Sequence, residues 1–133
     1  MRKLFIIVLI YLFYSSTITA EVVKKIDISG NNRVSEETIK IYGDIKINEN
    51  YSEQDLNKIL NNLFLTNFFE DVQIELSNNI LSIKLIEHPV INNLIIIGET
   101  RNKYIEQIKK VLKSREKDSY IKNNITKDIN IIK

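Results

Sequence analysis

The first twenty residues begin with two basic side chains and continue as an unbroken apolar run. The run extends from Leu4 to Phe13 and is followed by a more polar stretch that ends in Ala20. A basic start, an apolar segment of this length and a small residue at its end are typical of a secretory signal peptide. We therefore expect cleavage between Ala20 and Glu21. A retained membrane anchor is the alternative, but the run is about half of the roughly 20 apolar residues that a spanning helix needs.

After this leader the pattern predicts a strand and then a short helix. From Val22 to Ile28 the chain is first β-branched and then alternates between apolar and polar residues, which is typical of a strand with one wet face. A turn at Gly30 follows, because glycine adopts positive φ at little cost. Ser35 is placed to cap a helix with an acidic first turn, and Gly43 ends it.

A second helix is indicated more clearly, starting after Ser52. Asp55 lies three residues further on, so the pair resembles a capping box in which Asp replaces the usual Glu or Gln. The apolar residues that follow have the spacing of a helix face directed at a core, and they are Leu56, Ile59, Leu60, Leu63 and Phe64.

The next two segments predict a β-hairpin. Residues 72–76 and 81–85 both alternate, and Asn78-Asn79 between them tolerates the left-handed conformations of a tight turn. Residues 21–90 therefore read as strand, helix, helix, strand, strand. This order predicts an α+β module in which two helices cover one face of a three-stranded mixed sheet.

The pattern then starts again. Residues 91–97 predict another apolar strand, and the segment from Gly98 to Arg101 repeats the one from Gly30 to Arg33 at a period of about 68 residues. A repeat of this length indicates tandem domains. We expect a second, truncated module over residues 91–133, with a second helix near its end and no hairpin to complete the sheet.

Composition excludes several kinds of chemistry. The chain has no cysteine, so it has neither disulfides nor thiolate metal ligands. Residues 21–90 carry 7 basic and 12 acidic side chains, a net charge of −5, whereas residues 91–133 carry 10 and 5, a net charge of +5. The lysines come without the aromatic or glycine-rich motifs of nucleic-acid binding, and we expect no nucleic-acid partner. No nucleophile–base pair, phosphate loop or metal cluster is evident, which indicates a non-enzymatic protein without cofactors.

Four segments in this order are similar to the POTRA repeats of the BamA family of outer-membrane protein assembly factors. They are GNNRVSEETI (Gly30 to Ile39), YSEQDL (Tyr51 to Leu56), LFLTNFFEDVQIEL (Leu63 to Leu76) and IEHPVINNLIIIG (Ile86 to Gly98). The resemblance covers all of the chain after the leader. Members of the family continue through further repeats into a membrane β-barrel, and no such sequence is present here.

The resemblance implies a periplasmic arm of a machine that folds β-barrel proteins and inserts them into the outer membrane. The implied partners are unfolded outer-membrane β-barrel precursors, periplasmic chaperones and the lipoproteins of the assembly complex. Membrane attachment would come through a C-terminal barrel. The POTRA arm of another secretion or translocation transporter is an alternative. An accessory domain of a periplasmic enzyme is a weaker one, since no candidate active site is evident.

The candidate binding site is an edge strand. If the third strand of the module is central, the second is an edge with unpaired backbone groups, to which an extended peptide can add. The candidate residues are Val72, Gln73, Ile74, Glu75 and Leu76. The strand could also be an edge with no ligand, protected from aggregation by its acidic side chains.

The remaining conspicuous residues are better explained by structure. Of Phe68 and Phe69, at least one ring is expected to pack under the helices. A lone histidine such as His88 is poor support for a metal or a base, and Pro89 stiffens the join between repeats. Arg33, just after the first turn, is expected to make a salt bridge or a backbone contact.

Overall fold

The computed structural model describes residues 21–132, so the predicted signal peptide and Ala20 lie outside the described residues. The chain forms five strands and four helices in this range. In chain order they are β1 (Glu21–Val22), β2 (Lys25–Ser29), α1 (Glu36–Gly43), β3 (Asn50–Tyr51), α2 (Glu53–Leu65), β4 (Phe69–Ser77), β5 (Ile80–Glu87), α3 (Asn102–Val111) and α4 (Lys122–Ile132). The predicted order of strand, helix, helix, strand and strand is confirmed for the first module.

The main sheet has the strand order β2-β5-β4. β2 runs parallel to β5, with Lys25 opposite Ile80, and β4 runs antiparallel to β5, with Ile74 opposite Ile83. The third predicted strand is therefore central, which is the condition under which the second predicted strand of the hairpin region, β4, is an edge. Asn78 and Asn79 both have positive φ, which is the backbone of a tight type I′ turn between β4 and β5.

The predicted strand at residues 22–28 is interrupted in the structure. Val23 is fully buried, and its backbone pairs with the loop before β3, donating to Glu49 O and accepting from Asn48 N at 2.9 and 2.8 Å. This pairing turns the chain, so that Glu21–Val22 pairs with Asn50–Tyr51 and β2 starts only at Lys25. The strand Asn50–Tyr51 was not predicted, because a two-residue strand leaves no periodic signal in the sequence.

The core lies between the two helices of the first module and one face of its sheet. Ile39 of α1 and Leu63 of α2 are fully buried, as are Leu81 and Ile83 of β5. The capping box is present, since Ser52 accepts from Asp55 N while the Asp55 carboxylate accepts from Ser52 N at 2.9 Å. Phe64 was predicted to join the core stripe but is 39% exposed. It follows Leu63 by one residue, about 100° round the helix, and so lies at the flank of the buried face.

Residues 91–132 contain α3 and α4, and the predicted second helix near the end of the chain is confirmed. The predicted strand at residues 91–97 is wrong: this segment has no strand pairing, and the only bridge at its start joins Val90 to Ser119. A strand needs a ladder partner to satisfy its backbone groups. In the first module β5 supplies that partner to β2, and residues 91–132 hold no strand of that kind.

Candidate peptide-binding edge and repeat junction

The candidate residues 72–76 form the middle of β4, which is an edge strand of the main sheet. Ser77 and Ile80 flank the two-residue turn and form the first pair of the hairpin. In such a hairpin this first pair exchanges both backbone hydrogen bonds, and bonded pairs then alternate with non-bonded ones. Gln73 and Glu75 therefore direct their backbone groups at β5. The backbone N–H and C=O groups that point away from the sheet belong to Val72, Ile74 and Leu76.

The side chains of β4 alternate between the core face and the outer face of the sheet. Val72 is buried, and Ile74 and Leu76 pack partly against the core, whereas Gln73 and Glu75 are exposed on the other face of the sheet. A shallow cavity of about 310 Å³ lies on that outer face, and it is lined by Gln73, Ile74, Glu75, Ser82 and Lys84. The free backbone edge of β4 therefore borders the polar outer face of the sheet. The side chains of Val72, Ile74 and Leu76 pack on the core side and hold the strand in place.

Glu87, the last residue of β5, binds the loop that follows β2. Its carboxylate accepts hydrogen bonds from the backbone N–H groups of Asn32, Arg33 and Val34 at 2.9 to 3.0 Å. The Arg33 Nε atom lies 3.1 Å from the second carboxylate oxygen, and the Glu87 side chain is only 7% exposed. Burial raises the pKa of this carboxyl, but the three backbone hydrogen bonds and the Arg33 charge outweigh burial and hold the pKa below its usual value.

Gly30 allows this loop to lie close to the central strand. Its φ is +86°, and a Cβ atom added there would lie 2.0 Å from the Leu85 carbonyl oxygen. Only glycine fits both the backbone conformation and the close approach. Gly30 is therefore required by the geometry that brings the loop amides to Glu87.

Arg33 also contacts the join between the two repeats. Its Nη2 atom donates to the His88 carbonyl oxygen at 2.8 Å, and the His88 N–H donates to Phe68 O at 2.9 Å. The next residue, Pro89, accepts from the Tyr120 N–H at 2.6 Å. These bonds connect the end of the main sheet to the loop between α3 and α4.

The two adjacent phenylalanines lie in different environments. Phe69 is buried in the core at the start of β4. Phe68 is partly buried and meets Tyr42 and Phe69 edge to face, with ring centroids 5.9 and 6.2 Å apart. Both rings contribute to packing at the end of the helix pair.

Three carboxylates that accept hydrogen bonds from backbone N–H groups were not predicted from the sequence. Besides Glu87, they are Glu99, which binds its own loop, and Asp128, which accepts from the backbone N–H groups of Lys113 and Ser114 at 2.8 Å. Glu87 and the loop are more than 50 residues apart, and no local pattern joins them. Glu99 could have been found from the sequence, because it follows the glycine of the repeated turn.

Within residues 21–132, no group of three or more His, Cys, Asp or Glu side chains is arranged to hold a metal ion. No helix in the same part of the chain is long and apolar enough to cross a membrane. The candidate binding site among the described residues is the free backbone edge of β4.

Comparison with known proteins identifies the family. The model of the POTRA family, described as surface antigen variable number repeat, matches residues 21–87. The chain therefore belongs to the POTRA family.

Two curated relatives are named outer membrane protein assembly factor BamA. The protein from Neorickettsia risticii (strain Illinois) is 34% identical over 87 residues, which is 65% of this chain and 12% of the relative. The protein from Neisseria meningitidis serogroup B (strain ATCC BAA-335 / MC58) is 30% identical over 76 residues, 57% of this chain and 10% of the relative. The chain thus matches only about a tenth of the length of each relative.

Solved structures show the same fold at low sequence identity. The N-terminal domain of Omp85 from Thermosynechococcus elongatus matches with a TM-score of 0.59 at 13% identity, over 86% of this chain and 50% of that one. The first two POTRA domains of Omp85 from Anabaena match with a TM-score of 0.55 at 12% identity, over 87% of this chain and 78% of that one. The α+β fold predicted from the sequence is confirmed as a POTRA fold.

Proposed function

We propose that the chain is the periplasmic POTRA region of an outer-membrane protein assembly factor and that it binds unfolded β-barrel precursors by strand addition. The observation that carries the proposal is the free edge of β4. Val72, Ile74 and Leu76 direct their backbone groups away from the sheet, and an extended peptide can pair with them as a fourth strand.

Backbone pairing suits a partner whose side chains vary. The peptide N–H and C=O groups are the same in every precursor strand, so the edge selects extended conformation instead of sequence. Four or five such hydrogen bonds, at a net value of about 1 kcal/mol each, barely offset an association cost of at least about 4 kcal/mol. Binding is then weak and reversible, as passing a precursor onward requires.

The names of the relatives support the cellular role. Both curated relatives are assembly factors, which favours this role over that of another secretion or translocation transporter. In this role, periplasmic chaperones and the lipoproteins of the assembly complex are further partners. The predicted signal peptide directs the chain out of the cytoplasm, and a C-terminal barrel would attach it to the outer membrane.

Replacing Ile74 with proline tests the edge directly. Proline removes an N–H that points away from β5, so the ladder of the hairpin is kept while strand addition is impaired. The matched control is Ile74→Val, which keeps the N–H and a core side chain of similar shape. With a photo-crosslinker at the exposed position 75, we expect crosslinking to an unfolded precursor to be lost in Ile74→Pro and kept in Ile74→Val. Wild-type crosslinking by a folded Ile74→Pro variant overturns the proposal.

A further inference from the structure

The free edge of β4 has a sequence that is complementary to itself. The backbone groups of Val72, Ile74 and Leu76 point away from the sheet, so a second copy of β4 that runs antiparallel can pair with them. All three strands of the first module are present in its sheet, and no strand within residues 21–132 pairs with the outer side of β4. The edge is therefore a property of the complete module.

One antiparallel register places like side chains together on the core side of the sheet. When the pairing is centred on Ile74, this residue lies opposite Ile74 of the second copy, and Val72 lies opposite Leu76. All three side chains belong to the core or pack against it, so apolar groups meet apolar groups across the new pair of strands. Each of these directly opposite pairs exchanges two backbone hydrogen bonds.

The outer face of the sheet matches in the same register. Gln73 of each copy lies opposite Glu75 of the other, and an amide N–H can donate to a carboxylate. The Gln73 Nε2 atom already donates to Asp71 at 3.0 Å within its own strand, but a primary amide has a second N–H for Glu75. Asp71 lies opposite Ser77, so no acid faces another acid.

The two neighbouring registers bring like charges together. Outward-pointing backbone groups stay opposite each other only when the register shifts in steps of two residues. One such shift places Asp71 opposite Glu75 in both halves of the pair, and the other places Glu75 opposite Glu75. Like charges directly opposite each other are destabilising. The acids of β4 thus disfavour other pairings of the edge with itself and permit the register centred on Ile74.

We propose that two copies of the chain pair through β4 as a symmetric antiparallel dimer centred on Ile74. A two-fold axis at this residue makes the interface isologous and joins the two three-stranded sheets into one. A contact limited to one strand edge is small, so the dimer is weak and forms as the concentration rises. The pairing does not depend on the binding of precursors, and either can fail without the other.

Cysteine crosslinking tests the register, since the chain has no cysteine of its own. Positions 73 and 75 of opposite copies form a pair without backbone hydrogen bonds, with Cα atoms about 4.5 Å apart, which a disulfide can span. A mixture of Gln73→Cys and Glu75→Cys chains should form the mixed disulfide several-fold faster than either variant links to itself. A mixture of Gln73→Cys with Lys84→Cys, at an exposed position of β5, gives the rate of random collision. Mixed disulfide formation at that random rate overturns the proposal.

Charge variants test the same contact in solution by sedimentation velocity at low salt. Gln73→Glu places two acids opposite each other twice, and it should weaken dimerisation roughly 2- to 30-fold. Adding Glu75→Lys to the same chain restores opposite charges across the pair and should return dimerisation to at least the wild-type level. Both side chains are exposed, so the fold is kept. A wild-type chain that stays monomeric at every concentration, a Gln73→Glu chain that dimerises as well as wild type, or no recovery in the double variant contradicts the proposal.

Discussion

The carboxylate of Glu87 accepts the backbone N–H of Arg33 at 3.0 Å and pairs with its side chain at 3.1 Å, across 54 residues of sequence. This contact joins the end of the central strand to the loop before α1, and Arg33 extends it to the His88 carbonyl. One acid thus holds the sheet, the loop and the repeat junction together.

Glu87→Gln should destabilise the first module by about 2 kcal/mol, because a neutral amide accepts fewer and weaker hydrogen bonds from the three loop amides. Urea unfolding at neutral pH measures the change. The conservative exchange Lys84→Gln, on the exposed outer face of the same strand, is the control and should shift stability by no more than about 0.5 kcal/mol. Equal stability of Glu87→Gln and the control would show that the contact is dispensable.

The same carboxylate predicts a pH dependence. Its pKa is lower in the folded chain than in the unfolded one, so its contribution is present above the unfolded value near 4.5 and is lost as the pH falls through the folded value. Between about pH 5 and pH 2 the wild-type chain should therefore lose more stability than Glu87→Gln. Parallel stability curves for the two chains in this window contradict the assignment.

Gly30 and Gly98 both have positive φ, but only Gly30 lies close to a neighbouring strand in the part of the chain that the structure describes. Gly30→Ala should cost at least about 3 kcal/mol, because positive φ and a collision with the Leu85 carbonyl act together. Gly98→Ala meets no described neighbour and should cost about 1 kcal/mol, from backbone strain alone. Thermal unfolding of both variants provides the comparison, and similar losses would rule out the collision.

Ser52 begins α2 through a reciprocal pair of hydrogen bonds with Asp55. Ser52→Ala should lower the free energy of unfolding by about 1 kcal/mol, since one helix N–H loses its acceptor. Ser77→Ala, at the exposed end of β4, is the control and should change stability by no more than about 0.5 kcal/mol. Chemical denaturation followed by far-UV circular dichroism distinguishes them, and an unaffected Ser52→Ala chain would contradict the role of the cap.

Asp128 ties α4 to the end of α3 by accepting from Lys113 N and Ser114 N. Asp128→Asn should weaken residues 91–132 by about 1 to 3 kcal/mol, because the buried Ser114 amide and the partly buried Lys113 amide lose a charged acceptor. Hydrogen exchange should then speed up in α3 and α4 while the amides of β5 keep their protection. Faster exchange throughout the first module would mean that the two parts unfold as one unit.

Local chemistry explains which parts of the fold were predictable. The capping box at Ser52, the Asn78-Asn79 turn and the alternation along β4 are each encoded within a few residues, and each was predicted from those residues. The interruption at Val23 was not, because it depends on pairing with Glu49 and Asn48, far along the chain. Residues 91–97 have strand-like composition, but composition cannot supply the partner that a strand requires.

Some features of the candidate site could be predicted from the sequence and others could not. From the sequence, β4 was an edge only on the condition that the third strand is central, and the observed strand order meets that condition. The direction of the backbone groups of β4 follows from the register at Ser77 and Ile80. The contact between Glu87 and the loop at Arg33 arises only when the parallel pairing of β2 with β5 brings the two together. Long-range contacts of this kind have no signal at a single position.

Hydrogen exchange at β4 tests the central claim most directly. The chain is incubated with a synthetic peptide taken from a membrane strand of an outer-membrane β-barrel protein, and amide exchange is followed residue by residue. Strand addition predicts new protection at Val72, Ile74 and Leu76, whose N–H groups point outward, and little change at Gln73 and Glu75, which are already bonded to β5. Unchanged exchange at these three amides, under conditions where the peptide is bound, contradicts the account.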